Sequence, residues 1–267
     1  MIKFSIITPT HNRPELLARC IDSVLSQKRN GNYNFTFEHI IINDSPNYDY
    51  SLVSNNESFM RAIVEGGIIY IKNKENKGVN YSRNTALQLV TGDYVIFLDD
   101  DDWLANDALL DIYNTLFNIN KVGNSIDWLI TNRVYENGKS ITQDNTKNKN
   151  IGLDLKEISY IWDYMVFKRF TGDATHIIKS KIARHAHFPK HTKQGEEFYF
   201  FLQLPDKFLY KNLNTTITDG YNTGGLTDTL KSQYKNNTWH LWKEKLNIKF
   251  FAYMIYRTAK VLKNKYL

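Results

Sequence analysis

The strongest chemical signal in this chain is a run of four consecutive carboxylates, Asp99-Asp100-Asp101-Asp102, entered directly from the apolar stretch Tyr94-Val95-Ile96-Phe97-Leu98 and followed by Trp103. Adjacent carboxylates repel one another, by roughly 1 kcal/mol per pair at 4 Å in water and about 4 kcal/mol at an effective dielectric of 20. Such a run calls for a positive partner. A hard divalent cation bound through oxygen, with a diphosphate on its remaining positions, suits these ligands, because Mg²⁺ commonly takes one or two carboxylates plus substrate phosphates. The plainer alternative is a solvated acidic loop at the start of the next helix, where Asp is favoured.

The elements that must position this run are legible around it. Tyr94 to Leu98 is too short for a helix and rich in β-branched and aromatic side chains, which predicts an interior strand covered on both faces. The C-terminal ends of such strands are where open α/β sheets place ligands. Upstream, Lys3 to Thr8 reads as a first strand, ending in the turn Pro9-Thr10-His11-Asn12-Arg13-Pro14, with Pro14 well placed at a helix start. Leu16, Leu17, Cys20, Ile21, Val24 and Leu25 then recur at helical spacing and define one apolar face. Phe35 to Ile42 is a second strand, stopped by Asn43-Asp44-Ser45-Pro46. A helical stretch to about Val64, a third strand over Ile68 to Lys72, a loop over Asn73 to Asn80 and a helix over Tyr81 to Val90 follow. After the acidic strand a helix carries Leu109, Ile112, Tyr113 and Leu116 on one face. This alternation predicts a mostly parallel, Rossmann-like sheet flanked by helices. Beyond Asp127 the rhythm changes. Trp128 to Val134 and Ser140 to Gln143 pair across Asn137-Gly138, a good hairpin signal; Ala174 to Lys179 reads as a strand and Glu196 to Leu204 as a short helix.

The formal net charge is +6, and the segment Trp239 to Leu267 alone carries seven basic residues against one acid, so the rest of the chain is close to neutral. Positive charge confined to one end argues against nucleic-acid binding. In that tail Trp239, Trp242, Leu246, Phe250 and Met254 recur at steps of three and four beside Lys243, Lys249, Arg257, Lys260 and Lys263. The pattern predicts a basic amphipathic helix that lies on an anionic membrane surface, or else packs on the main domain or on a second copy of the chain as a homodimer. The single cysteine, Cys20, excludes an intrachain disulfide. With no leader-like N-terminus and no apolar run of about 18 residues, the expected location is cytoplasmic, on the inner face of the membrane if the tail binds there.

Several motifs agree in order and spacing: Ile6-Ile7-Thr8-Pro9-Thr10-His11-Asn12-Arg13-Pro14-Glu15, Ser23-Val24-Leu25-Ser26-Gln27, Asn43-Asp44-Ser45, Asn76-Lys77-Gly78 with Ser82-Arg83-Asn84, Gly92-Asp93-Tyr94 leading to Leu98 through Trp103, and Gly195-Glu196-Glu197. Together they resemble the family 2 glycosyltransferases of GT-A fold, over roughly residues 3 to 228. The resemblance implies a GT-A domain over 1–228, with a nucleotide-binding half (1–103) and an acceptor-binding half (104–228), followed by the helical tail 229–267. It implies transfer of a sugar from a nucleotide diphosphate sugar, usually UDP-linked, to an acceptor hydroxyl of a saccharide or glycolipid, with inversion at the anomeric carbon. Carried over by position, Pro9 and His11 line the base pocket and Asp44 accepts a hydrogen bond from the base. Arg13, Gly78 and Arg83 belong to the donor site, with Arg83 near the ribose and phosphates. Asp99, Asp100 and Asp101 match the family's Asp-any-Asp motif: Asp100 faces the ribose, while Asp101, with Asp99, holds Mn²⁺ or Mg²⁺, the Lewis acid that neutralises the leaving diphosphate. Asp102 and Trp103 then begin the next turn and wall the acceptor side. The base that takes the acceptor's proton is a carboxylate, here Glu197, with Glu196 as the second candidate; the family's pair is Glu-Asp, so Glu197 departs by one methylene.

Ordinary alternatives stand beside these assignments. Asp44 reads equally as a turn carboxylate, His11 as a loop histidine, Arg83 as a surface charge, and Glu196-Glu197 as a helix start favoured by the dipole. His185, His187 and His191, with Lys190 and Lys193, form either a basic lid over the diphosphate or a solvated loop. The stretch Tyr221 to Thr227 stands where some relatives carry a histidine or arginine, and its backbone N–H groups can meet a phosphate. A sugar-nucleotide pyrophosphorylase expects a glycine-rich loop after the first strand, and Thr8 to Pro14 contains no glycine. A non-catalytic partner protein of the same fold, acting through its basic tail, is the remaining alternative.

Overall fold

A computed structural model of the chain describes residues 1–27, 34–121, 123, 125–148, 150–190, 192–219 and 255. The tail 229–267 apart from Ile255, the 221–227 stretch and His191 lie outside the described residues.

The first hundred residues form the alternation that their periodicity predicts. Strands β1 (Ile2–Thr10), β2 (Phe35–Asn43), β3 (Ile68–Lys72) and β4 (Tyr94–Phe97) lie parallel in the order β3-β2-β1-β4. Helices α1 (Pro14–Ser26), α2 (Ser51–Ser54), α3 (Glu57–Val64) and α4 (Val79–Leu89) connect them. The helical stretch before Val64 is two helices, because Asn56 turns its side chain back to accept from the Phe59 N–H at 3.0 Å and starts α3 afresh. Side chains alternate across the strands. Ile7, Ile40 and Val95 pack in one core with Ala86 and Leu87 of α4. Phe4, Ile6 and Ile96 pack in another with Cys20 and Val24 of α1, so the lone cysteine is a core residue.

The second half completes the same sheet. It comprises β5 (Asp102–Leu104), α5 (Ala108–Lys121), β6 (Trp128–Tyr135), β7 (Gln143–Asp144), β8 (Leu155–Ser159), a π-helical segment (Tyr160–Val166), β9 (Phe170–Thr171), β10 (Ala174–Lys179), α6 (Ser180–Ala183), α7 (Phe198–Leu202) and β11 (Lys207–Thr218). Strand β10 runs antiparallel between β4 and β6, and β11 lies parallel to β6, giving a nine-stranded mixed sheet. One sheet therefore crosses from the first hundred residues into the second. Its outer core centres on Trp128, fully buried and ringed by Tyr160, Phe201 and Phe208 with centroids 5.2–5.8 Å apart; truncating such an aromatic to Ala costs about 3–5 kcal/mol.

Three local expectations are corrected. The Asn137-Gly138 turn closes with a Val134–Ser140 bridge, but Gln143 leaves β6 to pair with β9. The helix expected from Glu196 begins at Phe198, because Glu196 sits in the left-handed region (φ 59°). Asp102 and Trp103 are not a turn: they form β5 against the end of β11. No helix among the described residues is long and apolar enough to cross a membrane.

Candidate active site

The C-terminal ends of β1 and β4 meet β5 at one rim, and the acidic run lies there. Asp100 is buried, its carboxylate held by the Thr10 hydroxyl at 2.7 Å and by Arg13 at 3.2 Å. Burial pushes this carboxyl up to about 7, against the pull of Arg13 and Thr10 and with help from Asp101 and Asp99. Asp101 is also raised, first by burial and then by Asp99, while Arg13 at 3.0 Å opposes. Asp99 goes the other way: burial would raise it, but Arg83, 2.7 Å away, and Arg133 together hold it below the usual carboxylate range. Asp102 is buried and ion-paired with Arg133.

Arginine supplies the compensation that four adjacent carboxylates need. Arg83 reaches the rim from the first turns of α4 and bridges Asp99 to Glu197, with its side chain 6% exposed. The surface-charge alternative for Arg83 is thereby excluded. Glu197 comes from the other end of the chain and is brought in by two successive left-handed residues, Gly195 (φ 78°) and Glu196 (φ 59°). A left-handed non-glycine residue costs free energy and is found where the surroundings over-determine it. Of the Glu196-Glu197 pair, Glu197 joins the cluster with its side chain half exposed, whereas Glu196 is buried.

Asp44 shows the turn role and leaves room for another. It is buried, and its carboxylate accepts from Asn73 Nδ2 (2.8 Å) and from the backbone N–H groups of Lys77 (2.9 Å) and Gly78 (2.6 Å). A carboxylate offers about four acceptor sites, so one stays available to a ligand. Gly78 must be glycine: φ is 89°, and a Cβ there would meet the Lys193 carbonyl oxygen at 2.2 Å. Pro9 is buried inside β1 and His11 is exposed just beyond it. His185, His187, Lys190 and Lys193 line a groove against the outer side of α4 rather than joining the carboxylate cluster.

Oxygen atoms of Asp99, Asp101 and Asp102 lie within 4.8 Å of one another. This all-oxygen donor set suits a hard divalent cation. Asp102 was not foreseen as part of this set, nor was Arg133. The signal for Arg133 lay in the sequence: a charge inside the otherwise apolar-to-neutral strand Trp128–Tyr135 cannot be buried without an acidic partner.

A mixed sheet whose parallel strands end in a carboxylate cluster, beside a glycine-started helix that carries an arginine into it, is the GT-A architecture of nucleotide-sugar transferases. The sequence profile described as Glycosyl transferase family 2 matches residues 5–171, and the chain belongs to that family. Among curated proteins it is 32% identical over 225 residues to the poly(ribitol-phosphate) beta-N-acetylglucosaminyltransferase TarP of Staphylococcus aureus (83% of this chain, 62% of that protein). It is 26% identical over 199 residues to the poly(ribitol-phosphate) beta-glucosyltransferase of Bacillus spizizenii (74% of this chain, 29% of that protein). The chain thus spans less than two thirds of either. Among solved structures, S. aureus TarS 1-349 in complex with UDP-GlcNAc superposes with a TM-score of 0.64 at 18% identity, over 85% of this chain and 61% of that one. The mannosyltransferase PcManGT of Pyrobaculum calidifontis, in complex with GDP-Man and Mn²⁺, superposes with a TM-score of 0.55 at 12% identity, over 95% of this chain and 68% of that one.

Proposed function

We propose that the chain is a metal-dependent inverting glycosyltransferase that moves a sugar from a UDP-sugar, a hexose or N-acetylhexosamine, to a hydroxyl of a bacterial surface glycan. The observation that carries the reading is the Asp99–Arg83–Glu197 bridge, which ties the acidic cluster to one half-exposed carboxylate at the same rim. Asp44, His11 and Pro9 take the base, and Asp100 with Arg13 faces the ribose. A Mn²⁺ or Mg²⁺ ion held by Asp99, Asp101 and Asp102 supplies, when bound, positive charge to the leaving diphosphate. Glu197 takes the proton of the acceptor hydroxyl as its oxygen bonds to the anomeric carbon on the face opposite the breaking carbon–oxygen bond. The nucleoside diphosphate leaves with that bond's electrons. Arg83 orients Glu197 and faces the diphosphate. The acceptor is a phosphate-bearing polyol chain of the kind named for the two curated relatives above. Residues 1–228 make the transferase domain, and the basic segment 229–267 docks the protein on an anionic membrane surface.

The test is calorimetric titration of UDP and of GDP into the purified protein, with Mn²⁺ and with chelator. Metal-dependent UDP binding in preference to GDP is expected. Absence of binding to either nucleotide would sink the reading in favour of a non-catalytic partner.

A further inference from the structure

Along the outer side of α4 runs a second, chemically opposite site. A groove of about 590 Å³ lies between that helix and residues 184–190 with Thr192 and Lys193. Its cations are Lys77, Arg184, Lys190 and Lys193, joined by the imidazole of His185, and among the described residues no carboxylate lines it. Lys77 pairs with Glu75 outside the groove at 3.6 Å and lies over the Tyr81 ring at 4.7 Å. Among the described residues, Arg184, Lys190 and Lys193 have no ion-pair partner at all.

The groove is built rather than incidental. Asn84 of α4 both accepts from the Phe188 N–H (2.8 Å) and donates to the Phe188 carbonyl (3.0 Å). Asn80, one turn earlier, donates to the carbonyls of Thr192 and Gly195 at 3.2 Å. Phe188 anchors the wall from below by stacking on Phe200 at 4.4 Å. The wall is thus pinned at two heights along the helix, and its cations line the groove, Lys193 Nζ also donating to the Asn76 carbonyl (3.0 Å) and Arg184 Nη1 to the Val90 carbonyl (3.5 Å). On the helix the lining residues run from Tyr81 to Gln88, eight residues that rise roughly 12 Å. One end opens at Lys77 and Lys193, beside Gly78, whose N–H meets Asp44 in the donor site. The far end carries Arg184 and His185. An elongated anion entering at the donor rim would find cations along its whole length.

We propose that this groove binds the phosphodiester backbone of the acceptor chain, holding a polyol-phosphate segment that leads away from the reacting hydroxyl. The inference rests on the transferase reading above and adds a site to it. Negative charge on successive phosphates would replace the carboxylates that the groove lacks, with Arg184 offering two-pronged contact and the lysines point charges.

The experiment is calorimetric titration of a short synthetic oligo(ribitol phosphate) into the full chain without donor, against the wild type and R184E/K190E, both exposed positions outside the donor site. UDP with Mn²⁺ is titrated into the same two proteins. The expected result is binding that falls roughly tenfold or more in the variant, the loss of one or two charge-assisted contacts, that weakens with added salt, and that leaves UDP affinity unchanged. Equal oligomer binding by both proteins, or equal binding of a phosphate-free polyol, overturns the proposal. So does binding of phosphatidylglycerol vesicles with none of the oligomer, which would make the groove a lipid-headgroup surface. If UDP fails to bind the wild type while the oligomer binds and the variant loses it, the transferase reading fails and the groove stands as an anion site.

Discussion

The two sides of α4 meet charge in opposite ways. Toward the sheet, Arg13, Arg83 and Arg133 already compensate the carboxylates Asp99 to Asp102 and Glu197 before any ligand arrives. Toward solvent, Arg184, Lys190 and Lys193 line a groove that has no carboxylate among the described residues. On the proposed reading, binding on the acidic side is an exchange, in which an incoming cation and diphosphate displace internal partners, while binding in the groove is an addition. An exchange site resists substitution badly, because each residue removed strands another.

The largest effect that follows is on turnover. Glu197→Gln keeps the size of the side chain and its contact with Arg83 but removes the base; a roughly 10²–10⁴-fold loss of kcat with UDP affinity retained is expected. Asp101→Ala should instead lose metal-dependent UDP binding in calorimetry along with transfer. Full activity of Glu197→Gln would break the assignment of the exchange side as catalytic, and Glu196→Gln would then be the variant to assay.

The next effect separates the cluster from the fold. His39 and His176 are buried, and burial lowers both to about 3 from an ordinary 6.5. His39 Nε2 sits 2.8 Å from the Thr8 hydroxyl, and His176 Nδ1 accepts from Trp128 Nε1 at 3.1 Å. Both are neutral in the folded chain and take up protons readily only when unfolded. Their contribution is therefore present above pH 6.5 and is lost as pH falls from there toward 3, by about 2–3 kcal/mol per histidine at pH 4.5. Urea unfolding at stepped pH measures it, and His39→Gln should flatten the slope over that window. An unchanged slope in His39→Gln would locate the acid sensitivity elsewhere, with the rim carboxylates first to test.

Smaller again is the effect of breaking the bridge. Arg83→Ala leaves Asp99 without its main partner, yet Asp99 and Glu197 both reach solvent, with side chains 37% and 50% exposed. The expected destabilisation, about 1–3 kcal/mol in urea unfolding, falls short of the 3–5 kcal/mol of a fully buried pair. Addition of Mn²⁺ should recover part of it by neutralising Asp99. No recovery would mean that the arginine and the cation do not compete for the same charge.

What the sequence disclosed follows the same physical divide. The parallel strands are continuous apolar runs such as Ile40–Ile42 and Val95–Phe97, cut by Gly92, Pro46 and Gly66-Gly67, so the first hundred residues were readable without a partner. The motifs also pointed to Arg83, Asp99 to Asp101 and Glu197, which the fold brings to one rim, and to Asp44, which it ties to Asn73, Lys77 and Gly78. Strand β11 was not: Lys-Phe-Leu-Tyr-Lys-Asn-Leu-Asn-Thr-Thr-Ile-Thr is interrupted by register shifts around Asn214 and Thr216, which spoil its alternation. Asp102 was missed because it reads as the start of a turn, and Arg133 because its acidic partner lies on β5, which only the fold sets across β11 from β6. The groove was half visible, as a cluster of basic residues before Glu196, but nothing in a linear reading sets Asn80 and Asn84 opposite Thr192 and Phe188.

Those asparagines give the smallest and most discriminating prediction. Asn84→Ala strands the Phe188 N–H and carbonyl, each buried behind α4, at a cost of about 1–3 kcal/mol. The groove wall keeps its Phe188–Phe200 stack and its Asn80 bonds, so the chain should stay folded. Because addition depends on a preformed wall and exchange does not, oligo(ribitol phosphate) binding should weaken by several-fold while UDP affinity and its metal dependence hold. Loss of both together would show that the groove wall and the Asp44–Gly78 end of the donor site move as one body. That coupling would run through the contact between the Lys193 carbonyl and Gly78, and the two sides of α4 would then be a single site.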